Sequence, residues 1–184
     1  MGNKIFITGP KNIDKLSLAK KIVERDDDLT IASRFTNDLQ YKDIADDMYL
    51  YYLSTQDIDL TYKNNFVLFV NTDKYISSGI TMDVFYNSDI FCMSMCEFNN
   101  ISESIFNNES NDILVIWLDT KDTKSNDNIS EDICESGFLM SRLDESNLKY
   151  LYFIDESDES IIDTIFEYLE GDEEIRKNIL KDNN

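Results

Sequence analysis

Gly9 and Lys15 bracket the stretch "GPKNIDK", which lies between the apolar run "KIFIT" and the amphipathic run "LSLAKKI". A glycine and a lysine at this spacing match two fixed points of the phosphate-binding pattern G-x-x-x-x-G-K-[ST]. In that pattern the glycines let backbone N–H groups face the phosphates, the lysine neutralises them, and the hydroxyl holds Mg²⁺. The other points differ. Asp14 replaces the second glycine, adding a Cβ and a negative charge beside the place of a triphosphate. Leu16 replaces the metal-binding hydroxyl, and Ser17 stands one residue late. A helix turns about 100° per residue, so Ser17 is expected to point away from the metal position. Both changes oppose nucleotide binding. Without the pattern, the same residues suit a strand, a turn and a helix start, where the Asp14 carboxylate would interact favourably with exposed N–H groups and the helix dipole.

Few other residues offer chemistry. The chain has no histidine, so it lacks both the usual general base and an imidazole metal ligand. Cys92, Cys96 and Cys134 form no pair of metal-spaced pairs, and Cys92 and Cys96 lie in the apolar "IFCMSMC", as reduced buried thiols do. A formal charge of −20, from 37 acidic against 17 basic residues, opposes approach to nucleic acid or an anionic membrane. No uninterrupted run of about 18 apolar residues occurs, and no charged segment precedes an apolar core at the N-terminus. The expectation is a cytoplasmic protein that binds neither nucleic acid nor membrane.

The elements that must hold the loop are legible from periodicity. Residues 4–8 read as a buried strand, and 14–25 as a helix with Leu16, Leu18, Ala19, Ile22 and Val23 on one side. Strands are expected near 29–34, 66–71 and 90–95, with a short helix after Gly79; residues 39–55 suit either strand or helix end. "NNISESIFNNES" reads as a short helix, "DILVIWLD" as a strand covered on both faces, and 130–146 as a helix. "KYLYFIDES" is the last strand, followed by an amphipathic helix with Ser157 or Asp158 as N-cap and Gly171 as stop. Alternating strands and helices, with 42% hydrophobic residues over 184 positions, predict one α/β domain spanning 1–184 with a mainly parallel central sheet flanked by helices.

Over residues 4 to about 170 the chain resembles the guanylate kinases, P-loop kinases that phosphorylate GMP. "KIFITGPKNIDKLSLAKKI" is similar to their first strand, loop and helix, "LTIASRFT" to "SxSxTTR", and "YLYYLS" to "YxFVS". "NNFVLFVNTDKYISSGITMDVFYNSD" is similar to the GMP-domain segment "GEFLEWAxxxGxxYGTSxxxVxxxxxxG". "IFCMSM" resembles "vlLDID", "DILVIWLDT" the next core strand, "SRL" the "xRL" helix, and "YLYFIDES" the terminal strand. The resemblance implies a P-loop kinase-like fold, a small mixed GMP-domain-like lobe at roughly 33–90 and a lid-like segment at roughly 119–145.

Carried over one residue at a time, the family's functional positions are thinly populated. The acidic base-recognition residue falls at Leu68, and the substrate-facing aspartate near Cys92 and Ser94. The hydroxyl after "YG" falls at Ile80 beside Thr81, and the arginine of "TTR" falls at Thr36 with Arg34 nearby. The tyrosine of "YxF" falls near Leu50, flanked by Tyr49 and Tyr51. The lid has only Lys121 and Lys124 for its arginines, and Arg142 in "SRL" is the best match, although an arginine there also suits a solvated surface. Phosphoryl transfer relies on positioning, cations and metal. Loss of metal hydroxyl, loop glycine, lid arginines and aspartate together therefore implies an inactive guanylate kinase-like protein that binds a protein partner and needs no cofactor. Tyr49, Tyr51 and Tyr52 are its candidate contact surface, and they equally suit the core of the small lobe. The alternative is a diverged nucleoside or deoxynucleoside monophosphate kinase using Mg²⁺ and ATP through Gly9, Lys15, Ser17, Arg34 and Arg142. A third reading, a structural subunit of an assembly such as a virus particle, fits the acidic, Asn- and Ile-rich composition.

Overall fold

The computed structural model describes residues 4–10, 13–39, 42, 49–63, 67–73, 76–94, 97–98, 113–119 and 149–170. The helices expected at 99–110 and 130–146, the lid-like segment after Asp119, and Arg142 lie outside these residues.

Four strands make the central sheet: β1 (Lys4–Thr8), β6 (Ile90–Cys92), β7 (Ile113–Asp119) and β8 (Lys149–Ile154), in the order β6-β1-β7-β8 with every neighbour parallel. A parallel sheet needs cover on both faces, and the near-continuous burial of "KIFIT" and "ILVIWLD" meets that need. Odd positions of β1 and even positions of β7 face one side. There Ile5, Ile7, Leu114, Ile116 and Leu118 pack on Leu18, Ala19 and Ile22 of α1 (Lys15–Arg25) and on Ile161, Ile162 and Ile165 of the last helix, α4 (Asp158–Glu170). Phe6, Val115 and Trp117 face the other side, among Phe85, Phe91, Met93 and Phe98.

α1 and α4 are further tied by Lys21 to Asp158 at 2.7 Å and by Arg25 to Asp163, and the Arg25 guanidinium lies 4.7 Å from the Phe166 ring centre. The α4 N-terminus is held at Ser157, whose Oγ accepts from Ser160 N at 3.4 Å.

A second, smaller sheet has the order β3-β2-β5-β4, from β2 (Arg34–Thr36), β3 (Leu50–Tyr52), β4 (Val67–Asp73) and β5 (Ile76–Thr81). It is mixed: β2 pairs parallel with β3 and antiparallel with β5, and β4 pairs antiparallel with β5. This lobe is where the expected elements need correction. The strand expected near 29–34 begins instead at Arg34; upstream only Ile31 bridges Ile90. Residues 76–81 form a full strand before the short helix α3 (Met82–Asn87), and α2 (Thr55–Lys63) was not signalled by an apolar stripe. Among the α2 side chains described, Ile58 is the buried one, and Ser54 Oγ caps the helix by accepting from Asp57 N at 3.1 Å. With Ile58 and Leu60 two apart instead of three or four, the helix carries no apolar stripe, and its cap and neighbours set it.

α3 is joined to the core by a buried ammonium. Lys4 Nζ donates to the carbonyls of Phe85 (2.9 Å), Tyr86 (3.3 Å) and Ser88 (2.5 Å), satisfying groups that a helix C-terminus leaves unpaired. Burial pushes the Lys4 ammonium below the usual lysine range, against the raising charge of Asp89. No helix among the described residues is long and apolar enough to cross a membrane.

Candidate functional site

β1 and β6 end side by side at the C-terminal edge of the parallel sheet, and the loop after β1 turns there into α1. Open α/β sheets place ligand sites at this edge. Gly9 makes the turn possible: its φ is +146, and a Cβ built on it would sit 2.3 Å from the carbonyl oxygen of Leu118 on β7. Glycine is therefore required by backbone geometry and by the neighbouring strand, whatever the loop binds.

The helix begins at Asp14. Its Oδ1 accepts from Ser17 N at 3.0 Å, so a carboxylate takes one of the N–H groups that a helix start leaves open. Asp14→Ala is expected to cost about 1 kcal/mol of stability, read by urea unfolding; an unchanged midpoint would show that the cap is not used. Lys15 is only 8% exposed, and its Nζ donates to the carbonyls of Pro10 (2.6 Å) and Ile13 (3.1 Å). The lysine thus folds back on its own loop.

Beside this loop is a cavity of about 440 Å³, lined in part by Lys15, Arg34, Cys92, Ser94 and Glu97. Cys92 follows from β6: its thiol lies 3.5 Å from the Lys15 carbonyl oxygen, and burial pushes it up to about 12 against the lowering charges of Lys15 and Arg34. It is no nucleophile near neutral pH.

Arg34, at the start of β2, reaches across from the small sheet to the central one. Its guanidinium pairs in a fork with Glu97, Nη1 to Oε2 at 3.2 Å and Nη2 to Oε1, and lies 3.5 Å from the Cys92 carbonyl and 3.4 Å from Ser78 Oγ. Glu97 is 6% exposed. Its Oε2 also accepts from Ser94 N at 2.8 Å and from Ser94 Oγ at 3.2 Å, while Glu97 N donates to Ser94 Oγ at 3.3 Å. This is the reciprocal S-x-x-E capping box. Burial pushes the Glu97 carboxyl up, but the Arg34 guanidinium and the two Ser94 donors outweigh it and hold the group below its ordinary value.

The expected site residues thus divide. Gly9 shapes the loop, and Lys15 and Arg34 come to one cavity. Ser17 is half-buried and does not line that cavity. Tyr49, Tyr51 and Tyr52 are half-buried. Tyr51 packs edge-on against Phe35 with ring centres 6.4 Å apart, and burial raises its phenol. The Tyr49 ring lies 5.0 Å from Lys20 Nζ of α1. Glu97 was missed by sequence reasoning, although "SMCE" spells its capping box. Two acidic residues, Asp14 and Glu97, line the cavity, and neither stands at Cys92 or Ser94.

A second cavity, of about 200 Å³, shares Ile13 and Asp14 with the first. Asp14, Asp119, Asp155, Glu156 and Asp158 all line it, giving it a negative field.

No family model matches the chain, and no curated protein is similar to it in sequence. Among solved structures, the guanylate kinase from Anaplasma phagocytophilum superposes with a TM-score of 0.58 at 11% identity, covering 92% of this chain and 85% of that one. The chain has a guanylate kinase-like fold. At this identity the likeness shows the architecture alone. In this guanylate kinase-like fold the loop after β1, the end of β6 and the start of β2 frame the 440 Å³ cavity.

Leu16 stands where the phosphate-binding pattern has its hydroxyl, Ser17 is not among the residues lining the cavity, and no group of three or more Asp, Glu, Cys or His side chains among the described residues is arranged to hold a metal ion.

Proposed function

We propose that this is a guanylate kinase-like protein without phosphotransferase activity, acting through contact with a protein partner. One observation carries the reading: the charges at the loop and cavity are engaged by the chain's own groups. Asp14 takes a helix N-terminal N–H, Lys15 donates to two loop carbonyls, and Arg34 is forked on Glu97. Phosphoryl transfer is catalysed by cations and dipoles left available for the phosphates, so internal engagement removes its main source of rate. The acidic second cavity adds repulsion toward a polyanion approaching the loop. For the partner, the supporting feature is β3, which ends the small sheet among the described strands and carries the half-buried Tyr51 and Tyr52. Aromatic side chains that are neither core nor fully solvated are favoured contact residues.

A second reading, a diverged monophosphate kinase, draws on the convergence of Lys15 and Arg34, both of which lower the Cys92 thiol from opposite elements. Transfer of phosphate from ATP to GMP, dGMP and the other monophosphates separates the two. The expected result is no product above the uncatalysed background. Metal-dependent turnover that disappears in Lys15→Ala would favour the kinase reading.

A further inference from the structure

We propose that Glu97 is an internal plug: its carboxylate occupies the Arg34 fork and keeps the cavity closed to external oxyanions. The inference deepens the reading of a non-catalytic site and rests on it. Arg recognises carboxylates and phosphates with the same planar fork of parallel N–H donors, so the two kinds of anion compete for one geometry. Here the fork is filled on both arms by Glu97.

The plug is built in, not adventitious. Ser94 N and Oγ both donate to Glu97 Oε2, and the Glu97 backbone N–H returns a bond to Ser94 Oγ, so the carboxylate is aimed before Arg34 meets it. With 6% exposure, an ionised Glu97 requires a cation beside it. Arg34 and Lys15 meanwhile approach the cavity from β2 and α1, and both line it. Removing the negative charge of Glu97 while keeping its shape leaves the Arg34 fork unfilled at a space of about 440 Å³ that Lys15 and the Asp14 carboxylate also line, large enough for a phosphate group. The class of ligand so excluded is the small phosphoryl oxyanion, free or as a monoester.

The test is calorimetric titration of inorganic phosphate, and separately of GMP, into the full chain and its variants at neutral pH. Glu97→Gln keeps the side-chain volume and an acceptor for Ser94. It is expected to bind phosphate at least about tenfold more tightly than the unmodified chain, and the gain is expected to vanish in Arg34→Gln/Glu97→Gln. Glu97→Asp retains the charge but withdraws it by one methylene, and is expected to give a smaller gain of about threefold; it decides the matter if the Gln variant does not fold. Equal gains for phosphate and GMP identify the phosphoryl group as what is excluded, and a gain for GMP alone overturns that assignment. Phosphate binding by the unmodified chain as tight as by Glu97→Gln, no gain in either folded variant, or a gain that survives the loss of Arg34 would overturn the plug. Turnover of ATP by the unmodified chain is a separate readout; it would defeat the non-catalytic reading whatever the phosphate titrations give.

Discussion

Arg34→Met lowers stability by about 3–5 kcal/mol at neutral pH, because it leaves the Glu97 carboxylate buried without its cation. The direction of the pH dependence reports the cause. In the unmodified chain Glu97 is held below 4.5, its ordinary value. Its contribution is therefore complete above that pH and is lost as pH falls through the folded-state value, so stability rises with pH across this acid range. In Arg34→Met burial is opposed by the Ser94 donors alone, and the carboxyl is expected to rise above its ordinary value. Its cost then grows as pH rises past about 4.5, which makes the contribution of this group to the slope negative there. Urea unfolding at a series of pH values, with Arg34→Met compared against Arg34→Met/Glu97→Gln, reads both effects. The double variant is expected to recover most of the loss, since it removes both charges together. A variant that loses the same stability at pH 4 as at pH 7 would show that packing, not charge, explains Arg34.

Gly9→Ala is the second large effect, expected at about 3 kcal/mol. Two penalties act together at this position. A φ of +146 is strained for any residue with a Cβ, and the new Cβ would meet a backbone oxygen of β7 at 2.3 Å, which no side-chain rotation can relieve. For a chain of this length such a loss lowers the melting temperature by roughly 6–12 °C. A thermal melt within two degrees or so of the unmodified chain would mean that β1 and β7 can part at this edge more easily than their ladder suggests. The effect is also expected in the absence of any ligand, which separates a structural glycine from one kept for phosphate.

The central sheet was legible because burial on both faces leaves its mark in composition. "KIFIT", "DILVIWLD" and "KYLYFI" are apolar runs, and α1 and α4 show their packed face at helical spacing. The small sheet was harder to read for a physical reason. β5 is "ISSGIT", whose centre, Ser77–Gly79, lacks strand-forming residues, and it is made a strand by pairing with β2 on one side and β4 on the other. Residues 39–55, left open between strand and helix, contain β3 at Leu50–Tyr52.

At the loop, Asp14 was readable as a residue of the helix start, and its bond to Ser17 N agrees. Gly9 could be read as a turn residue, but the reason for it lies on β7, where the Leu118 carbonyl leaves no room. Glu97 shows the same limit. Its capping box is local and visible, whereas its pairing with Arg34 joins residues 63 positions apart and follows only from the meeting of the two sheets.

On the proposed reading, the loop between Gly9 and Lys15 keeps the form of a phosphate-binding loop without its chemistry. Calorimetric titration of ATP into the unmodified chain, once with Mg²⁺ and once without, tests it most directly. No saturable heat is expected in either titration, since Asp14 holds the helix N-terminus and Lys15 is hydrogen-bonded to Pro10 and Ile13. Saturable binding that tightens with Mg²⁺ and is lost in Lys15→Ala would contradict it.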